Sequence, residues 1–421
     1  MVYMVADTGD SFYQAAMADI YEMTEAIFDS TRIKVVVHAD APSPWAARCW
    51  EVDGARVVQD GGPPVVKRGY AQPSGSCKHG KSLLSFVARC IGEYSAKYYL
   101  LVLWGHGEGI DWKAKVLADL PASTGIIGAN KRMFPGSEGA LEIGEIGMVL
   151  KQLKEKQAEA GIYKENVIIG FDACLMAMVE VYYEIQDSVG WVVAPNDEIP
   201  YAGWPYKGIL DWLGANSDKE PENLAREIVE LCKESYSRMD QDNDKGDKSN
   251  VSFSACNLAR CVKLTGPVEK LAKAMISHLK KKDSGLMARD AIKEARDFAE
   301  DLKETAYMDL HAFCQQLSRI SGLVENAPAL KELGAAAAEV ADVLKVGSEN
   351  FVIEKGFSDE YPHKYIAESR AVSICFPESP GLEGSVPGTQ INLGSYEALD
   401  FSKDTKWHAM WKPFWEKLGD K

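Results

Sequence analysis

Along the first half of the chain, short unbroken apolar runs alternate with longer stretches in which apolar residues recur at three- and four-residue spacing. The runs predict strands at Val2–Ala6, Ile33–Ala39, Tyr98–Trp104, Val167–Phe171 and Trp191–Ala194. The spaced stretches predict helices at Phe12–Phe28, Lys81–Ser95, Ile143–Ala160 and Leu175–Gln186. Strands without polar alternation are buried on both faces, the mark of a parallel sheet between helices. Arg48–Val52 and Ala55–Gln59 flank Asp53-Gly54 and predict a hairpin. Beyond about Leu210 the pattern changes to charged amphipathic helices, near Glu222–Tyr236, Pro267–Lys280, Leu286–Lys303 and Pro328–Leu344. Two strand-like stretches, Asn250–Ala255 and Ala371–Phe376, interrupt them as candidates to rejoin the main sheet. The organisation expected is an α/β core over residues 1–213 and a helix-rich accessory region over 214–421.

Composition narrows the class without naming a function. At 421 residues the chain exceeds one ordinary core, and its 46% apolar and 26% charged residues describe a globular protein. No segment reaches the roughly 18 unbroken apolar residues of a membrane-spanning helix, so membrane insertion is not expected. A formal net charge of −15 repels nucleic acid and attracts cationic partners. Nine cysteines without a C-x-x-C pair fit neither a disulfide framework nor a zinc site. The start, Met1-Val2-Tyr3-Met4-Val5-Ala6, lacks the basic and apolar regions of a signal peptide and reads as a strand, which implies that leading residues are missing.

Candidate chemistry sits where two apolar runs stop. Tyr99-Leu100-Leu101-Val102-Leu103-Trp104 gives way to Gly105-His106-Gly107-Glu108-Gly109, which is poor strand material and marks a carboxyl edge, where ligands of open parallel sheets bind. Val167-Ile168-Ile169-Gly170-Phe171 likewise ends at Asp172-Ala173-Cys174. A cysteine at the start of the helix expected from Leu175 would have its thiolate stabilised by the helix dipole. A lone buried cysteine is more often core filling. A right-handed crossover between neighbouring strands, however, brings His106 and Cys174 to one rim, as a base and a nucleophile. Gly107 offers an unhindered N–H which, with that of Cys174, would hold an oxyanion. Asp172, with Asp197 and Glu198 after the next strand, would supply negative charge for a cationic side chain. Trp204 is a candidate wall of the substrate cleft.

Three other patterns carry less. Gly75-Ser76-Cys77-Lys78-His79-Gly80-Lys81-Ser82 satisfies the phosphate-loop spacing of nucleotidases, but the polar, proline-broken Tyr70–Ser74 precedes it in place of a buried strand. Gly105-His106-Gly107 has Ile110 where a dinucleotide fingerprint needs a third small residue. Gln241–Lys248 resembles a calcium-ligand run without the closing glutamate, so no metal site is assigned. His38 follows a strand and reads as structural.

These residues resemble the clostripain-like cysteine peptidases, relatives of caspases, gingipains and legumain. The carrying pieces are Val2–Asp7, Leu103–Gly107, Gly170–Met176, Gly203–Tyr206, Tyr307–Phe313, Ser373–Pro377 and Leu399–Phe401, in order along the chain. The resemblance implies a caspase-like α/β/α sandwich with a mostly parallel central sheet, plus a C-terminal helix-rich lobe. It further implies a His106–Cys174 dyad, a thioester intermediate, and cleavage of protein or peptide substrates after Arg or Lys. Pro195-Asn196-Asp197-Glu198 departs from the Ser-Glu pattern of that family, which leaves specificity less secure than the dyad. No cofactor is required; some members of the family need calcium, and some cut their own chain between the histidine and the cysteine. Lys131-Arg132 is the candidate self-cleavage site here, and basic residues in an ordinary exposed loop are the stronger reading. Secretion or the cell envelope is the address implied. The alternatives kept open are a non-catalytic binding protein for basic peptides and the phosphate-loop nucleotidase.

Overall fold

The computed structural model describes residues 1–6, 10–39, 48–52, 66–71, 80–110, 143–159, 161–242, 251–282, 285–299, 306–324, 327–359, 367–378 and 393–419. The expected loop holding Lys131 and Arg132, the phosphate-loop residues 75–79, the strand expected over 55–59 and residues 243–250 lie outside that set.

One nine-stranded sheet organises the molecule. In chain order its strands are β1 (Val2–Met4), β2 (Val35–Ala39), β3 (Arg48–Val52), β4 (Val66–Ala71), β5 (Tyr99–Trp104), β6 (Val167–Asp172), β7 (Trp191–Pro195), β8 (Ser252–Asn257) and β10 (Val352–Phe357). Their spatial order is β10-β8-β7-β6-β5-β1-β2-β3-β4. The five central strands, β7, β6, β5, β1 and β2, run parallel, and antiparallel pairs close both sides. The fold is a caspase-like α/β/α sandwich.

Side-chain alternation divides the core into two layers. Tyr99, Leu101 and Leu103 of β5 and Val167, Ile169 and Phe171 of β6 face a layer built on α2 (Gly80–Glu93), α3 (Ile143–Glu159) and α4 (Val179–Ile185). Val102, Trp104 and Ile168 face the opposite layer, built on α1 (Asp10–Thr24), α5 (Tyr206–Asn216) and α6 (Pro221–Asp242). The C-terminal helices α7 (Thr265–Leu279), α8 (Gly285–Ala299), α9 (Leu310–Leu323) and α10 (Pro328–Val343) bury their apolar stripes in the first layer. The sheet therefore crosses residue 213: β8 and β10 extend it, and α6 covers it.

Several local expectations change. Of the two strand-like stretches in the second half, 252–257 joins the main sheet, whereas β11 (Ser373–Cys375) pairs with β9 (Tyr307–Asp309) in a separate two-stranded sheet. The main sheet's second late strand is β10, where Glu354, Lys355 and Gly356 mask the apolar signal. β3 pairs with β2 on one side and with β4 on the other, while the expected hairpin partner 55–59 lies outside the described residues. That pairing also removes the nucleotidase reading. β4 is an antiparallel edge strand, whereas a phosphate loop is held by a buried parallel strand.

Gly170 in β6 shows how closely the second layer meets the strand that leads to Cys174. A Cβ there would lie 2.5 and 2.9 Å from ring carbons of Trp204. Gly170→Ala is expected to destabilise the fold by about 1–3 kcal/mol through overpacking. Thermal denaturation checks this, and an unchanged midpoint would show that the Trp204 ring has room to move.

Candidate active site

The register between β5 and β6 sets Trp104 opposite Asp172, and the Gly105 N–H continues the ladder to the Asp172 carbonyl at 3.1 Å. His106 and Cys174 each follow two residues beyond that pair. They share one carboxyl edge, on neighbouring strands about 4.8 Å apart. Gly107 closes the arrangement: a Cβ there would stand 2.1 Å from the Cys174 carbonyl oxygen and 2.7 Å from its nitrogen. Only glycine permits this approach, which brings the two backbones together beside the sulfur. Gly109, at φ +61, completes the turn against the Tyr307 ring, and the Tyr307 hydroxyl donates to the Glu108 carbonyl at 2.8 Å.

The imidazole of His106 lies flat on Phe12 of α1, with ring centroids 4.1 Å apart and 6° between planes, while Tyr201 approaches edge-on. Aromatic packing thus orients this histidine. Burial pushes its pKa below the ordinary value. Cys174 is partly exposed, and the Ile199 N–H donates to its sulfur at 3.3 Å. Burial of the sulfur pushes the thiol up to about 11, and the negative charges of Glu198 and Asp172 add to that push against the opposing Ile199 bond. A protonated thiol beside a neutral imidazole is the resting state this environment favours.

The helix-dipole expectation for Cys174 is corrected. Leu175 takes φ +61, its N–H donates to the Asp197 carbonyl, and the Ala177 N–H donates to the Pro195 carbonyl. The chain is drawn onto β7's exit before it coils, so α4 begins at Val179 and Cys174 stands outside it. No helix N-terminus lowers this thiol.

Among the acidic candidates, Asp172 is 3% exposed. Its Oδ2 accepts from the Trp204 N–H at 3.0 Å and the Tyr206 hydroxyl at 2.8 Å, while Oδ1 has no partner among the described residues. Burial raises this carboxyl above its ordinary range. Asp197 turns to Ser252, accepting from its hydroxyl at 2.6 Å. Glu198 is exposed on the loop above the sulfur. Trp204 does not wall a cleft: its ring is fully buried against Gly170, and it serves the site through its backbone N–H. His38 is buried in β2 and stacks on Tyr3, as a structural histidine does. The residue missed in the sequence is Asp19 of α1, whose Oδ2 accepts from the Trp104 indole N–H at 2.7 Å. A charge on the stripe that includes Phe12, Ala16 and Met23 was its only signal. No group of three or more His, Cys, Asp or Glu among the described residues is placed to hold a metal ion.

A model of the clostripain family, peptidase group C11, matches residues 2–413. No curated protein matches the chain. Among solved structures, the chain is similar to a secreted C11 cysteine protease from Bacteroides thetaiotaomicron in complex with an irreversible peptide inhibitor. That likeness has 16% identity and a TM-score of 0.61, over 96% of this chain and 98% of the other. An inactive zymogen C11 protease from Parabacteroides distasonis is 18% identical, with a TM-score of 0.54 over 96% of each chain. A further secreted C11 cysteine protease from Bacteroides thetaiotaomicron, called iotapain, is 14% identical, with a TM-score of 0.56 over 97% of each. At these identities the likeness is one of fold.

The raised thiol yields a measurable outcome in the free protein. Iodoacetamide labelling that depends on Cys174, taken as the difference from Cys174→Ala, should rise about tenfold per unit between about pH 7 and 9, because only the thiolate reacts. A fast rate already level at about pH 6 would instead reveal a resting thiolate–imidazolium pair.

Proposed function

The chain belongs to the clostripain family of cysteine peptidases, and from that premise we propose that it is an endopeptidase cutting after Arg or Lys through His106 and Cys174. What carries the reading is the close approach of Gly107 to the Cys174 backbone at the shared rim, where the N–H groups of these two residues would serve as oxyanion donors.

In this reading the Cys174 sulfur adds to the substrate carbonyl as its proton passes to His106, which burial keeps neutral and able to accept it. The oxyanion is held by the N–H groups of Gly107 and Cys174. Collapse breaks the C–N bond while His106 returns the proton to the leaving amine, and a thioester remains. Water then adds to the thioester with His106 taking its proton, and collapse releases the acid product and restores the thiol. In the same reading the Asp172 carboxylate receives the cationic side chain before the cut, which gives the preference for Arg or Lys. The unpartnered Oδ1 of Asp172 supports this preference, since a buried acceptor left without a donor is costly until one arrives. Export from the cell belongs to the same proposal, supported by the secreted relative. No helix among the described residues is long and apolar enough to cross a membrane.

Cys174→Ala should abolish cleavage of a peptide with Arg before the cut while leaving the thermal midpoint near that of the parent. Asp172→Asn should lower kcat/KM for such peptides by about a hundredfold or more, the cost of removing one partner of a buried charge pair. Hydrolysis by Cys174→Ala at the parent rate would exclude the dyad. An unchanged kcat/KM in Asp172→Asn would exclude the proposed pocket.

A further inference from the structure

A second buried carboxylate stands beside the site and has no role in the chemistry above. Asp19 lies in the middle of α1, 3% exposed, held to the Trp104 indole N–H at 2.7 Å. A carboxylate in an apolar layer is costly unless something compensates it. Asp172 faces it. A Cβ on Gly203 would lie 2.9 Å from Asp19 Oδ2 and 3.0 Å from Asp172 Oδ2, so both acids approach the same glycine. Gly203 takes φ +63, and its carbonyl is fixed by the Tyr236 hydroxyl at 2.8 Å. Among the described residues, the titratable groups facing the pair are Glu22 of α1, Tyr206 of α5, Cys232 and Tyr236 of α6, and Cys174 at the rim. None of them is a cation. Lys207, which faces Glu22, spends its ammonium on Asp211 at 2.5 Å. The result is two apposed buried acids, one with an unclaimed oxygen, two residues from the nucleophile.

We infer that Asp19 is a second specificity-determining residue, forming with Asp172 a paired-carboxylate receptor for the Arg or Lys side chain before the scissile bond, and that this pair releases a proton when the cation binds. The inference rests on the reading of Cys174 as the nucleophile of a peptidase cutting after basic residues. Burial raises both acids, and the charge of Asp172 raises Asp19 further. The empty pair therefore holds a proton at neutral pH, as closely spaced carboxylates do. An arriving guanidinium or ammonium favours the doubly ionised pair, and the proton leaves to solvent. The sign follows from linkage: binding of a cationic substrate strengthens as pH rises, until the empty pair is itself ionised.

The test compares matched peptides carrying arginine or its uncharged isostere citrulline before the cut. In the parent enzyme, KM for the arginine peptide should fall with rising pH by up to about tenfold per unit, whereas the citrulline peptide should show no such fall. Asp19→Asn should flatten that dependence and reduce the preference for arginine over citrulline by about tenfold, through KM rather than kcat. Calorimetry of Cys174→Ala with the arginine peptide, in buffers of different ionisation heat, should record net proton release that citrulline does not cause. A purely structural Asp19 would lower kcat/KM for both peptides alike and leave the pH dependence intact, which overturns the inference. Should Asp19→Asn fail to fold, the proton count in Cys174→Ala decides, and a count of zero overturns it. A parent that does not prefer arginine at all removes the basic-residue reading, and this inference with it.

Discussion

The site depends on the parallel pairing of β5 with β6, which sets Trp104 beside Asp172. A slip of one residue would turn every side chain of one strand to the opposite layer and carry the reactive group with it. The register is fixed from both faces, by Leu101, Leu103, Ile169 and Phe171 in one layer and by Val102, Trp104 and Ile168 in the other. With that register in place, two chain breaks become neighbours, and Gly107 lets one backbone close on the other. The chemistry at the rim is thus a consequence of core packing along two strands.

Electrostatics then sets the resting state. The same burial that holds Asp19, Asp172 and the Cys174 sulfur raises the proton affinity of all three, while it lowers that of His106. The free protein is a poised, neutral arrangement with negative potential behind it. In the proposed reading, a cationic substrate side chain supplies what the layer lacks. The chain's overall acidity adds negative potential at longer range.

Much of this was legible from the residues themselves. The five parallel strands are uncharged or nearly so, and the glycines at 105, 107 and 109 mark the break at His106. The region after Cys174 was not legible as it folds, because tertiary bonds from Leu175 and Ala177 to the exit of β7 override a good helical pattern. The partner of Ser373–Cys375 was equally hidden: burial shows in the sequence, but the choice between the main sheet and β9 depends on contacts distant in the chain. α5 contains Gly208 and Gly214 and was overlooked for that reason. Asp19 reads as one polar residue on a helix until Trp104, 85 positions away, folds onto it.

The most direct measurement is a crystal structure of the protein treated with an irreversible peptide inhibitor bearing arginine at the reactive position. The account predicts a covalent bond to the Cys174 sulfur, with the carbonyl-derived oxygen about 3 Å from the Gly107 and Cys174 nitrogens and the guanidinium at Asp172. A bond to another cysteine, or an inhibitor seated with its oxygen turned away from Gly107, would contradict it.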